Sequence, residues 1–329
     1  MQYLSIYKEE WDKAIERMLL SFPVFAAVEN EFGIDYEELS HSNIGKIAYN
    51  KAKPATPLKA FFLPVRENVT SGQVQNRQRI IMGVPGCDVE GLKLLDEIYL
   101  DKDYVDIFYS ERRKNTVIIS FDCFEKQDHC HCTSYGFKPW SDDADLSVIL
   151  IGNQIILRII SEKGNNFANH FSVTRELNGG KVIAEIEDSH NKTVISLSEA
   201  AKGLPDYKST GNLLQNAGDE IWKKYSSRCV SCGACATICP TCSCFLLIDK
   251  PGFEKIRQMD ACQYPGFERV AGGEDPLFEL PRRFRNRYMC KYVWKPGKFN
   301  SVACTGCGRC IEACIGKINK NELFMELAK

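Results

Sequence analysis

A chain of 329 residues, 44% of them hydrophobic, is long enough for two domains with buried cores and too long for a bare ferredoxin. Forty-two basic residues against 43 acidic leave a formal charge of −1, so no bulk charge argues for nucleic acid or for an anionic membrane surface as a partner. Sixteen cysteines stand out, and in a reducing compartment that many point to metal or clusters rather than to disulfides.

The N-terminal stretch MQYLSIYKEEWDKAIERMLL is charged throughout and sets Tyr7, Trp11, Ile15, Met18 and Leu19 at helical spacing, which predicts an amphipathic helix and no signal peptide. QRIIMGV predicts a strand from Gln78 to Val84, closed by a Pro-Gly turn at Cys87. DVEGLKLLDEIYL then places Val89, Leu92, Leu95 and Ile98 on one face of a helix that Asp88 can cap. NTVIISFDC predicts a second strand running into Cys123, so both cysteines should meet at one edge of a sheet. VILIGNQIILRII is broken by Gly152-Asn153 and an arginine. It predicts a hairpin within Asp145 to Ile160 and no membrane span, which together with the cysteine usage implies a cytoplasmic protein.

KGLPDYKSTGN, from Lys202 to Asn212, has the composition of a linker and divides the chain into residues 1–205 and 206–329. Leu213, Leu214, Ala217, Ile221, Trp222 and Tyr225 then predict a helix leading into Cys229, beyond which long strands are absent. The expected fold class is α+β: an N-terminal α/β domain followed by a mainly helical two-cluster ferredoxin-like domain.

The two strongest motifs are Cys229-x2-Cys232-x2-Cys235-x3-Cys239-Pro240 and Cys304-x2-Cys307-x2-Cys310-x3-Cys314. Two-residue spacers let three sulfurs of a tight loop point at one cubane, and in two-cluster ferredoxins the fourth cysteine ligates the other cluster. By that rule Cys229, Cys232, Cys235 and Cys314 hold one [4Fe–4S] cluster, while Cys304, Cys307, Cys310 and Cys239 hold the second. Gly233, Gly306 and Gly308 would let backbone approach the inorganic sulfides. A pair of zinc sites, and with it a zinc-stabilised interaction module without a redox role, is the alternative; zinc normally uses two separated pairs of ligands.

Cys87, Cys123, Cys130 and Cys132 could together supply a third cluster. The competing readings are small buried hydrophobes or a mixed site using the flanking His129 and His131. Cys242, Cys244, Cys262 and Cys290 stay unassigned, with structural packing preferred over a further cluster. PRRFRNRY, from Pro281 to Tyr288, carries Arg282, Arg283, Arg285 and Arg287 and suggests either a docking site for an acidic partner or a salt-bridged loop. Trp222 and Trp294 read as core. Neither a dinucleotide fingerprint nor a P-loop is present, so no flavin or nicotinamide is expected on this chain.

CVSCGACATICPTCSCF, MDACQYPGFERVAGGEDPLF, RRFRNRYMCKY and CTGCGRCIEAC together resemble the dicluster subunit of two enzymes, namely the β subunit of soluble [NiFe] hydrogenases (sulfhydrogenases) and its counterpart in anaerobic sulfite reductase. GVPGCDVEGLKLLD, ERRKNTVIISFDC and CHCTSYG resemble that family as well, extending the likeness from about Lys59 onward. Pro85-Gly86, His131 and Ile315 stand where the family usually has Arg-Pro, an aromatic residue and proline. The resemblance implies the eight ferredoxin-run cysteines as ligands and favours the N-terminal four. It also implies a subunit passing single electrons between a flavin subunit that handles NAD(P)H and a catalytic subunit with a [NiFe] centre or a sirohaem. No residue of this chain is then expected to be catalytic.

Overall fold

The structure is a computed structural model describing residues 2–72, 77–171, 175–177 and 180–329. Eleven strands are described: β1 Gln2–Tyr7, β2 Val24–Asn30, β3 Gly33–Glu38, β4 Arg66–Asn68, β5 Arg79–Val84, β6 Thr116–Phe121, β7 Leu146–Ile151, β8 Gln154–Ile159, β9 Arg175–Glu176, β10 Phe245–Lys250 and β11 Glu254–Met259. Eight form one mixed sheet in the order β3-β2-β5-β6-β7-β8-β1-β9, and β10, β11 and β4 form a second. Strands β2, β5, β6 and β7 run parallel, so the chain leaves β5 and β6 at the same edge.

Side-chain alternation explains how the large sheet buries both faces. Ile80 and Met82 of β5 and Val117, Ile119 and Phe121 of β6 pack with Trp11, Ile15 and Met18 of the helix Lys8–Leu19. The intervening Ile81 and Ile118 face Val89, Leu92 and Leu95 of the helix Gly86–Tyr99 instead. A third core gathers Leu214, Trp222, Phe284, Tyr288, Tyr292 and Phe324 around Tyr135 in the cysteine-rich half.

The mixed α and β architecture agrees with the expected class, but several local expectations change. The N-terminal stretch is helical only from Lys8. Gln2–Tyr7 is a strand pairing with β8, with Ile6 buried and Tyr7 half-exposed, because the apolar residues before Tyr7 alternate. Asp88 lies inside the first turn of its helix and Pro85 is the cap. The expected hairpin is present, with Ile151 paired to Gln154 across Gly152-Asn153. Half of the presumed linker is helix, Tyr207–Asn216, capped by the Asp206 side chain on Ser209 N–H. Ala217 and Gly218 separate it from the helix Asp219–Ser226, so one expected helix is two. The hairpin of the two six-residue strands β10 and β11 falls where no long strands were expected, and Trp294 is half-exposed.

Candidate metal centres

The sequence repeat of the two cysteine runs is also a backbone repeat. Gly233 and Gly308 take φ of +71° and +78° and open one-turn helices, Ala234–Thr237 and Arg309–Glu312. The left-handed residue lets each loop reverse over two residues, so that three cysteines line the inside of the bend. Cys229, Cys232 and Cys235 line one cavity together with Cys314, the partner the crossing rule supplies. Cys310 borders the same cavity, and Phe284, Arg287 and Tyr288 close it.

Cys239 belongs spatially to the second run. Its sulfur lies 2.9 Å from Lys291 Nζ, which also donates to the Ala303 carbonyl at 3.0 Å, one residue before Cys304. Thr241 Oγ1, 3.2 Å from the same sulfur, donates to that carbonyl at 2.6 Å. Cys239 is held well below the usual thiol range, first by a hydrogen bond from Cys242 and then, against its burial, by Lys291 and Lys59.

At the edge where β5 and β6 end, Cys87, Cys123, Cys130 and Cys132 line a single cavity, joined by Lys53, Lys126, Lys138, Gly306 and Cys307. Parallel strands explain the meeting of the first two, since ligand sites of open α/β sheets lie beyond the strands' carboxyl ends. The Cys-His-Cys turn is docked onto the second cysteine run: His131 N–H donates to the Gly306 carbonyl at 2.9 Å. A Cβ on Gly306 would stand 2.7 Å from Cys132 Cα, and one on Gly308 would stand 2.5 Å from the His129 carbonyl oxygen. The tight approach at these glycines is therefore of backbone to backbone, whereas the sequence suggested an approach to sulfide.

His131 turns away from this cavity. Its Nδ1 donates to the His129 carbonyl at 2.8 Å and its Nε2 accepts from Lys320 Nζ at 2.8 Å. Burial first, and then Lys320, hold its pKa well below the ordinary value, so the ring is neutral. Neither His129 nor His131 lines the cavity, which leaves a purely thiol lining and disfavours the mixed Cys/His reading. Burial pushes Cys87 and Cys123 well above the usual range, the first helped by Asp88 and the second by Cys130 and Cys132. Cys132 rises to about 12, through burial and then Cys130. Thiols whose ionisation is opposed in this way, as at Cys87, Cys123 and Cys132, gain most from a multivalent cation, which replaces their protons. Among the described residues no three His, Cys, Asp or Glu side chains converge as ligands of one ion would. The thiols line cavities instead.

Of the remaining cysteines, Cys242 contacts Cys239, and Cys244 contacts Cys262 through a thiol–thiol hydrogen bond. Cys290 opens a π-helical turn, Cys290–Trp294. The arginine-rich segment is the helix Leu280–Met289, with two of its four arginines turned inward. Arg283 donates to the Leu277 carbonyl at 2.9 Å and Arg287 to the Cys235 carbonyl at 3.2 Å, while Arg282 is exposed and pairs with Glu279 at 3.1 Å. What the sequence presented as one basic patch is thus half internal structure. The buried Asp88–Arg309 pair was missed, because helical position alone assigned Asp88 to a cap.

Among the described residues no helix is long and apolar enough to cross a membrane. Residues 228–318 match the 4Fe-4S dicluster domain family. Over 345 aligned residues the chain is 29% identical to sulfhydrogenase 2 subunit beta of Pyrococcus furiosus, covering 99% of this chain and 98% of that protein. The domain match spans both cysteine runs and the relative aligns from end to end, so the chain is similar to 4Fe-4S dicluster domains in its cysteine-rich half and to a sulfhydrogenase β subunit along its length.

Proposed function

We propose that this chain is the electron-transfer subunit of a multi-subunit oxidoreductase of the hydrogenase type, carrying three [4Fe–4S] clusters in a row. The carrying observation is the reach of one loop. Cys310 borders the cavity of Cys229, Cys232, Cys235 and Cys314, while Cys307 borders that of Cys87, Cys123, Cys130 and Cys132. The loop's own cysteines, with Cys239, then form the middle site of a continuous path.

Bound [4Fe–4S] clusters supply one-electron chemistry, and their potentials follow from burial and hydrogen bonds to sulfur. The chain's contribution is positional. Arg287 covers the first site and Lys291 donates to Cys239 at the middle one. Lys53 reaches the Cys130 sulfur at 3.5 Å while paired with Glu312 at 2.8 Å. Buried cations beside cysteine sulfurs offset the negative charge that a reduced cluster adds. A flavin partner handling NAD(P)H and a catalytic partner, for which the relative's name favours a hydrogenase centre over a sirohaem, would occupy the two ends.

The test is anaerobic purification followed by iron and sulfide analysis, then stepwise reduction by a viologen. About twelve irons or more, at four per cubane, and one-electron signals passing to an added acceptor support the reading. A colourless, zinc-filled chain would overturn it.

A further inference from the structure

Three buried cations lie near residues 239–244 without any carboxylate partner among the described residues. Lys59, Arg287 and Lys291 are each 4% exposed, whereas the buried Lys53 and Arg309 both have acidic partners. Lys59 Nζ donates to the Ala236 and Cys242 carbonyls at 3.2 and 3.0 Å. Lys291 is accounted for by Cys239, and Arg287 lines the first ferredoxin cavity. Lys59 lies close to both Cys239 and Cys242, and the half-buried Lys295, which has no carboxylate partner among the described residues, donates to the Thr241 carbonyl at 3.0 Å and to Ser243 Oγ at 3.2 Å. A buried cation without a counter-charge is costly, and carbonyl dipoles replace only part of its hydration. The surplus points to an anion at Cys242–Cys244.

The thiols there are already assembled. Asp260 N–H donates to the Cys244 carbonyl at 3.0 Å, extending the β10–β11 ladder one step, so Cys244 and Cys262 leave the hairpin base side by side. Their side chains touch, and the buried Cys242 stands next to them. The helical segment that carries Cys290 is tied to this base on both sides. Gln263 Nε2 donates to the Arg283 carbonyl at 2.8 Å, and Lys295 holds residues 241 and 243. In sequence Cys290 lies between those anchors, and it begins the π turn, a widened geometry that recurs at functional sites.

We propose that Cys242, Cys244, Cys262 and Cys290 hold a fourth [4Fe–4S] cluster, with Lys59 and Lys295 as its counter-charges. The proposal builds on the iron–sulfur reading above and replaces the packing role that the sequence suggested for these cysteines. Ordinary packing cysteines need no cations beside them, and a Cys244–Cys262 disulfide would be uncharged and leave Lys295 uncompensated.

The experiment is iron and acid-labile sulfide per chain on the full-length protein purified without oxygen, for wild type, the double variant Cys244→Ser/Cys262→Ser, and Cys290→Ser. The expected result is about sixteen irons in wild type and a loss of about four in each variant, at four per cubane, with the signals of the other clusters retained. Cys290→Ser serves as the second variant because its half-buried position makes it the milder change. About twelve irons in all three proteins would overturn the fourth site and leave the three-cluster reading intact. Loss from the double variant alone would overturn Cys290 as a ligand. Wild-type protein lacking iron altogether would defeat the underlying reading as well.

Discussion

Asp88 and Arg309, 221 positions apart in sequence and each 1% exposed, form a two-pronged ion pair with Nη2 to Oδ2 at 3.0 Å. Asp88 follows Cys87 on the sheet side, and Arg309 precedes Cys310 in the second ferredoxin run. Asp88 also accepts from Leu58 N–H at 2.9 Å, and Arg309 donates to the Pro54 carbonyl at 2.9 Å. The pair therefore ties two cysteine sites into one rigid unit. Asp88→Asn leaves a buried guanidinium uncompensated and is expected to cost about 3–5 kcal/mol. The check is the denaturant midpoint of the cluster-loaded chain together with its iron content; an unchanged midpoint would show that the pair does not hold the halves together.

Gly306→Ala should disturb the junction between the middle and N-terminal sites. The backbone there has φ +69°, where an L-residue costs about 1–2 kcal/mol, and the added methyl meets Cys132 backbone at 2.7 Å. Iron should be lost from the N-terminal site while the Cys229 site keeps its signal. Electron paramagnetic resonance of the reduced protein separates the two, and an unperturbed spectrum with full iron would rule out this packing.

Lys291→Met removes the cation bonded to Cys239. A reduced cluster carries more negative charge than an oxidised one, so losing the cation disfavours reduction and lowers the potential. Each 1.4 kcal/mol of lost interaction moves a one-electron potential by about 59 mV. A redox titration of the middle cluster should show the downward shift, and a shift upward or none would remove Lys291 from its tuning.

Acid should empty the sites in order. A thiol whose metal-free pKa is high regains its proton at higher pH and so gives up iron earlier as the pH falls. Burial raises Cys87, Cys123 and Cys132, with no lowered thiol among them, whereas at the middle site it raises Cys307 to about 12 but Cys239 is held low. Chelator-trapped iron release on lowering the pH should begin at the N-terminal site, and Cys123→Ser should abolish that first phase. Release beginning at the middle site would contradict the order.

The two cysteine runs and the strands β5 and β6 were legible from sequence, because local spacing determines how thiols share a tight turn and how apolar residues alternate. The meeting of Cys87 and Cys123 was legible for the same reason, since two strands each ran into a cysteine. Three matters were decided by tertiary structure alone. The Asp88–Arg309 lock joins residues far apart in the chain; the inward turn of Arg283 and Arg287 depends on which helix face meets the core; and the withdrawal of His131 follows from Lys320, which no local pattern connects to it. Short-range spacing determines which residues can share a site, but charge compensation in a buried interior depends on partners that only the fold brings into contact.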